Sequence, residues 1–288
     1  MNDFSADWLA LREPADIVAR SVPVTRAIAG SLSGEEEVHA LDLAAGTGSN
    51  VRYLAEHLSP RQRWLLVDHD PALLAQVPIR MSSWGAARGY EPASVRSGLV
   101  LRGDRRTCHL ATRVLDLTAL DDDSIFAGRA LVTASALLDL VSETWLRVVA
   151  TRCRENRAAV LFALTYDGAI HCAPEEPEDE MVRELVNRHQ RTDKGFGAAL
   201  GPDAAVLTER CFEGLGYSVR REQSDWELPP DATELQRQLI EGWARAAAAT
   251  APEKAASISG WRARRLTHVE NLQSRLTVGH QDLAAWLS

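Results

Sequence analysis

Cysteine is scarce in this sequence: 288 residues hold four, at Cys108, Cys153, Cys172 and Cys211, with no C-x-x-C pair among them. That spacing argues against a disulfide framework or a zinc site and points to reduced thiols. The histidines also lack zinc-like spacing, so no metal is expected. Basic charge is in deficit, with 32 Lys and Arg against 40 Asp and Glu for a formal net charge of −8. Steering of nucleic acid by an overall basic field is therefore not expected. No apolar run approaches the ~20 residues needed to span a bilayer, which leaves no expectation of membrane contact. The opening MNDFSADWLALREPAD carries acids early, without the basic-then-apolar pattern of a signal peptide, so a cytoplasmic location is expected. What is present, 45% apolar and 25% charged residues, is the composition of a soluble globular protein. The length suits one enlarged α/β domain, or one domain with a cap.

The chain is organised around the stretch from Val38 to Leu54. Val38, Leu41 and Leu43 form an apolar run that contains an acid, Asp42. The small residues Ala44, Ala45, Gly46, Thr47 and Gly48 follow, and Asn50, Val51, Tyr53 and Leu54 open a helical pattern. The physical reading is a buried strand, a tight turn and a helix N-terminus. Gly46 and Gly48 permit positive φ and let a ligand lie against the backbone. A dinucleotide site wants a third glycine where this sequence has Val51, and Asp42 would repel a pyrophosphate.

The pattern Asp-x-Ala-x-Gly-x-Gly resembles the glycine-rich first motif of class I S-adenosylmethionine-dependent methyltransferases, with Ala44 where that family more often has Gly. Two further strand ends carry the resemblance in the expected order. The continuously apolar strand Trp64 to Val67 ends in Asp68, about 20 residues beyond the glycines, where an acid accepts from the ribose hydroxyls. His69 follows it, and Asp70 suits the N-cap of the next helix. A hairpin around Leu99 to Arg106 leads into a strand ending at Val114-Leu115-Asp116-Leu117. In the resembled family an acid here receives the adenine amino group and the next main-chain amide donates to the ring, roles that Asp116 and Leu117 match. The resemblance is specific over about Val38 to Thr165, and the whole chain looks like bacterial small-molecule members of the class.

That resemblance implies a Rossmann-like, doubly wound, seven-stranded α/β sheet with an antiparallel last strand, N-terminal helices and helical cap insertions. Residues 1–37 would form helices over the cofactor, 38–168 the S-adenosylmethionine-binding core and 169–200 a lid. Residues 201–288 would complete the sheet, with a helical insertion at 231–273. In the leading helix Arg12, Asp16 and Arg20 lie four apart on one face. Arg20 is a candidate for the cofactor carboxylate, with an exposed ion-pair row as the alternative. Ala134 and Ser135, with Thr133, end the fourth strand and fall beside the methyl, because ligands of open α/β sheets sit at the carboxyl ends of the strands. Asp139 is the first candidate for a catalytic base and His189 the second.

The fifth strand, Ala158 to Thr165, empties into Tyr166-Asp167-Gly168. An acidic run, Pro174 to Glu180, precedes a helix to about Gln190, which leads into Arg191-Thr-Asp-Lys194-Gly-Phe196. Tyr166, Arg191, Lys194 and Phe196 are substrate-binding candidates, with the two cations available to an anionic group. Arg262, Arg264 and Arg265 read as a solvated helical face. Tyr217 to Leu228 reads as one strand, and Leu276 to Leu287 as the last. The expectation is in-line transfer of the sulfonium methyl to O, N or C of a small, anionic molecule, leaving S-adenosylhomocysteine. Three alternatives stay open: a nicotinamide oxidoreductase, an RNA or protein methyltransferase, and a non-catalytic S-adenosylmethionine-binding protein. Self-association as a homodimer is also left open.

Overall fold

The computed structural model describes residues 5–118, 120 and 122–287. Two leading helices, α1 (Ala6–Ala19) and α2 (Val22–Ser31), precede the first strand, β1 (Val38–Leu43). The glycine turn then opens α3 (Ser49–Leu54), followed by β2 (Arg61–Asp68) and α4 (Pro71–Ala86). A hairpin of β3 (Glu91–Val95) and β4 (Gly98–Arg102) leads into β5 (Thr107–Val114). Next come β6 (Leu131–Ser135), α5 (Glu143–Glu155) and the long β7 (Ala159–Ala173). The chain closes with α6 (Asp179–Gln190), α7 (Ala204–Gly214), β8 (Ser218–Gln223), β9 (Trp226–Leu228), α8 (Thr233–Thr250), α9 (Ala255–Glu270) and β10 (Arg275–Trp286).

These strands form one sheet in the order β3-β4-β5-β2-β1-β6-β7-β10-β8, with β9 also on β10. β5, β2, β1, β6 and β7 run parallel, and β10 lies antiparallel between β7 and β8. The expected doubly wound sheet with an inserted antiparallel strand is therefore present. Its described strands number ten rather than seven, because the β3–β4 hairpin and β9 extend it. Two apolar clusters, one on each face, bury the central strands, which explains why β1 and β2 read as nearly unbroken apolar runs. Register brings the carboxyl ends together: Leu43 pairs with Val67 and Ala134, and Asp68 with Val114. The polar groups at those strand ends therefore share one edge.

Four sequence expectations are corrected. The fifth strand does not stop at Thr165. Its second half, through Ala173, pairs with β10, so Tyr166 sits on a strand. The segment 217–228 is two strands, because the β10 register shifts between Val278 and His280 and the partner breaks at Ser224 and Asp225. Arg265 is buried rather than solvated: it binds Asp179 and the Pro174 carbonyl, while Arg264 pairs with Glu176 and Glu178. The acidic run is thus the counter-charge of α9. Arg20, finally, is no part of an exposed row, since Arg12 pairs with Asp16 while Arg20 is buried on Asp282 of β10.

A cleft at the carboxyl ends of the strands

At the turn, Ala44, Gly46 and Gly48 all have positive φ (52°, 53° and 82°). The alanine in the family's glycine position thus adopts the conformation that glycine favours. Gly48 is the N-cap of α3, and Asn50 enters the cleft two residues later. Asn50 organises what surrounds it. Its Nδ2 donates to Asp42 Oδ1 at 2.8 Å and to Thr133 Oγ1 at 3.0 Å. Its Oδ1 accepts from Arg20 Nη1 at 2.8 Å. Arg20 lies over the Tyr53 ring at 4.4 Å and donates through Nε to Asp282. Asp282 also accepts from the Ser21 and Leu164 amides, which ties α2 and β7 to β10.

Two atoms in this network are buried without a hydrogen-bond partner: Asp42 Oδ2 and Arg20 Nη2. An unsatisfied buried charge-bearing atom costs free energy, so each of the two is a position at which a polar group would be stabilising. Burial pushes the Asp42 carboxyl up to about 7, against the lowering effects of Asn50 and Arg20. Thr47 Oγ1 is unpartnered as well. Asp68, buried at the tip of β2, accepts from the Gly46 amide at 2.8 Å and the Asp70 amide at 3.0 Å, and lies 3.1 Å from His69 Nδ1. Asp70 caps α4 through the Ala72 amide.

The other named residues are distributed as follows. Asp116 is exposed and its Oδ1 accepts from the Thr118 amide, a turn contact that lowers its pKa. Leu117 is buried, and its carbonyl receives the Trp145 indole at 2.6 Å. The Ala134 side chain packs into the core, so only its main chain can face the cleft, while Ser135 lines it. Asp139 is buried, with its pKa pushed to about 6 by burial, and Gln190 Nε2 donates to it at 3.4 Å. His189 is less suited to be a base than its type promised. Lys194 Nζ donates to its Nδ1 at 3.1 Å, and burial and that ammonium lower its pKa. Tyr166 is buried and donates to Asn187 at 2.7 Å. Phe196 packs edge-on against Trp145 in a groove of about 640 Å³ that Thr118 and Ser142 also line. Arg191 turns instead to Asp203 at the surface, 2.9 Å away, so its charge is already met there.

Helix α1 closes the cleft. Leu9 lies so near the turn that a Cβ on Gly46 would stand 2.9 Å from its Cδ1. Leu9, Arg12 and Asp16 face Asp42, Gly46, Asn50 and Ser135 across a gap of about 50 Å³. That is well below the ~300 Å³ of a typical small-molecule site. That helix buries none of its own residues fully, which fits a movable cover. The sequence reading missed Asp282 and His280 of β10. A signal was present, because an acid or histidine inside an apolar strand is buried and needs a partner.

No family model matches the chain, and no curated protein matches it in sequence. Among solved structures it is similar to a cyclopropane-fatty-acyl-phospholipid synthase-like protein from Lactobacillus casei, with a TM-score of 0.52 and 12% identity over 98% of this chain and 94% of that one. It also resembles a cyclopropane synthase from Mycobacterium tuberculosis (TM-score 0.49, 10% identity, 98% of this chain and 95% of that one). A third is a methyltransferase from Thiobacillus denitrificans solved with S-adenosyl-L-homocysteine (TM-score 0.46, 13% identity, 99% of this chain and 100% of that one). The first of these likenesses shows the fold: the chain shares a Rossmann-like, doubly wound α/β architecture with that protein. Among the described residues, no helix is long and apolar enough to cross a membrane.

Proposed function

We propose that this protein is an S-adenosylmethionine-dependent methyltransferase acting on a small molecule. The observation that supports the reading best is the pair of buried, unpartnered atoms flanking Asn50, an acceptor on Asp42 and a donor on Arg20. One would take the ammonium and the other the carboxylate of an amino-acid end, and the fold puts both beside a glycine turn. When bound, S-adenosylmethionine supplies a methyl group already activated by its sulfonium. In this reading the amides of Ala44 to Gly48 lie along the ligand, and Asn50 fixes the orientation of Asp42 and Arg20. Asp68 and His69 hold the ribose, Asp116 and Leu117 the adenine, and Ser135 with the main chain of Ala134 the region of the methyl. Asp139 is the proton acceptor, and Tyr166, Lys194 and Phe196 border the acceptor. Residues 38–168 would then carry the cofactor and 169–200 cover the acceptor.

Calorimetry with S-adenosylhomocysteine is the direct test, with binding expected and no binding of NAD or NADP. Single-turnover release of S-adenosylhomocysteine with an acceptor would separate a methyltransferase from a non-catalytic binding protein. Absence of S-adenosylhomocysteine binding would end the proposal.

A further inference from the structure

We propose that Arg52 is a positioning residue of the cleft: it seats α1 through Glu13, holds the glycine turn through the Thr47 carbonyl, and so sets how long a ligand stays bound. The identity of that ligand, S-adenosylhomocysteine, rests on the methyltransferase reading; the contacts themselves do not.

Buried charge is gathered at α1. Among the described residues, three ion pairs have both side chains less than a fifth exposed: Arg12–Asp16, Arg20–Asp282 and Arg52–Glu13. Pairs on other helices are more open, such as Arg147–Glu143 at 68% and 53%. Arg12–Asp16 is internal to α1, and Arg20–Asp282 pins its C-terminal end, where the Ser21 amide also donates to Asp282 at 2.9 Å. Of the three, Arg52–Glu13 is the pair that ties the body of α1 to another element, α3. A buried pair is worth keeping only with good geometry, and this one is bidentate, with Nε on Oε1 and Nη2 on Oε2, each at 2.6 Å.

The remaining guanidinium nitrogen serves the turn. Arg52 Nη1 donates to the Thr47 carbonyl at 2.7 Å, and Thr47 lies between Gly46 and Gly48, both at positive φ. A Cβ on Gly48 would stand 3.7 Å from the same Nη1, so the guanidinium lies against the turn. Two of its nitrogens are thus spent on α1 and one on the turn, and a shift of either partner moves the group that holds the other.

The other ties of α1 are fewer and looser. No residue of the helix is fully buried, and Trp8, Leu11, Ala15 and Ala19 are only partly covered by the cluster under α6 and α8. Arg80 Nη2 donates to the Ala6 carbonyl at 3.3 Å, and the Trp226 indole to Asp16 at 3.1 Å. Seated in this way, α1 leaves a gap of about 50 Å³ over Asp42, Gly46 and Asn50. In the proposal the helix swings at the Arg20–Ser21 joint, where Arg20 leaves helical geometry at ψ 132° while Asp282 keeps its hold. Glu13 must part from Arg52 for a ligand to leave, and closing restores both the seat of α1 and the shape of the turn.

The test uses the intact protein and two readouts: hydrogen exchange of residues 6–19 without ligand, and the association and dissociation rates of S-adenosylhomocysteine. Glu13→Gln removes the charge and keeps the size. It should speed exchange in α1 by about tenfold while β1 and β6 stay protected. Dissociation should also quicken by about tenfold, with association changed by less than about threefold. Arg52→Lys keeps a cation opposite Glu13 but cannot serve both partners, so it should keep most of the protection of α1 and still quicken dissociation several-fold. Arg147→Gln, which breaks an exposed pair on α5, should change neither readout. Wild-type exchange and dissociation in Glu13→Gln would overturn the proposal. So would faster exchange with unchanged dissociation, which would reduce Arg52 to a structural residue. Should Glu13→Gln lose protection throughout the sheet, Arg52→Lys decides, and wild-type dissociation there overturns the coupling. Faster α1 exchange in Glu13→Gln, with no S-adenosylhomocysteine binding by the wild-type protein, would end the methyltransferase reading and leave the seating of α1 by Arg52 in place.

Discussion

Nη1 of Arg20 donates to Oδ1 of Asn50 at 2.8 Å, across 30 positions of sequence, while Nε of the same guanidinium holds Asp282 from 262 positions away. One side chain thus joins the leading helices, the glycine turn and the last strand. Arg20→Ala should leave Asp282 as an uncompensated buried charge, at a cost of about 3–5 kcal/mol by chemical denaturation. Arg20→Lys should keep most of that stability and still lose S-adenosylhomocysteine affinity, because an ammonium cannot supply the third guanidinium nitrogen. Wild-type affinity in Arg20→Lys would remove Arg20 from the cofactor site.

Asp42 predicts a pH signature. Its pKa is raised from the ordinary 3.8 to about 7 by burial. The folded state therefore holds a proton that the unfolded state has already released, and stability from this group declines as pH rises from about 4 to 7. Asp42→Asn should cancel that decline, by on the order of a few kcal/mol, in melts compared at pH 5 and pH 8. An ammonium beside Asp42 would expel the proton. Binding of S-adenosylhomocysteine at pH 6 should then release protons, giving heats that differ between phosphate and Tris buffers. Identical heats in both would contradict the placement.

Asp68 has two duties that substitution can separate. It accepts from the Gly46 amide, so Asp68→Ala should loosen the turn as well as lose the ribose contacts. Asp68→Asn retains an acceptor for that amide and should keep nearly wild-type stability, yet bind S-adenosylhomocysteine at least about tenfold more weakly. Undiminished affinity in Asp68→Ala would show the ribose assignment to be wrong.

Gly46→Val should abolish S-adenosylhomocysteine binding. The residue sits at φ +53° and a Cβ there would meet Leu9 at 2.9 Å, so a branched side chain strains the turn and lifts α1. Binding at the wild-type level would mean that the turn is not the cofactor seat.

Arg191→Ala should leave the acceptor's KM unchanged, and its exposed pair with Asp203 should cost under about 1 kcal/mol on removal. A several-fold rise in KM would return Arg191 to the acceptor site and argue for an anion.

Much of the local structure around the glycine turn was legible because its signals are local. A turn that needs positive φ must be written in small residues, and Ala44, Gly46 and Gly48 adopt that conformation. The helix cap Asp70 also acts over two or three residues, and it bonds as expected. Lid and acceptor residues were less legible. Arg191, His189 and Lys194 have the right types in a plausible loop, but residue type does not say whether a charge is already met. Asp203 answers that for Arg191, while the Lys194–His189 contact shows only that these two side chains are hydrogen-bonded to each other.

Sequence alone determined the order of the central elements, the small-residue bend after the first strand and the acid at the tip of the second, since each follows from periodicity and backbone sterics within a few residues. Tertiary structure alone decided which charges are spent. Asp282 reaches Arg20 only because the last strand inserts between β7 and β8. The unpaired atoms of Asp42, Arg20 and His280 can be recognised only after every neighbour has been placed around them. Pairing between residues hundreds of positions apart is set by the packing of the whole sheet, which no local stretch of sequence encodes.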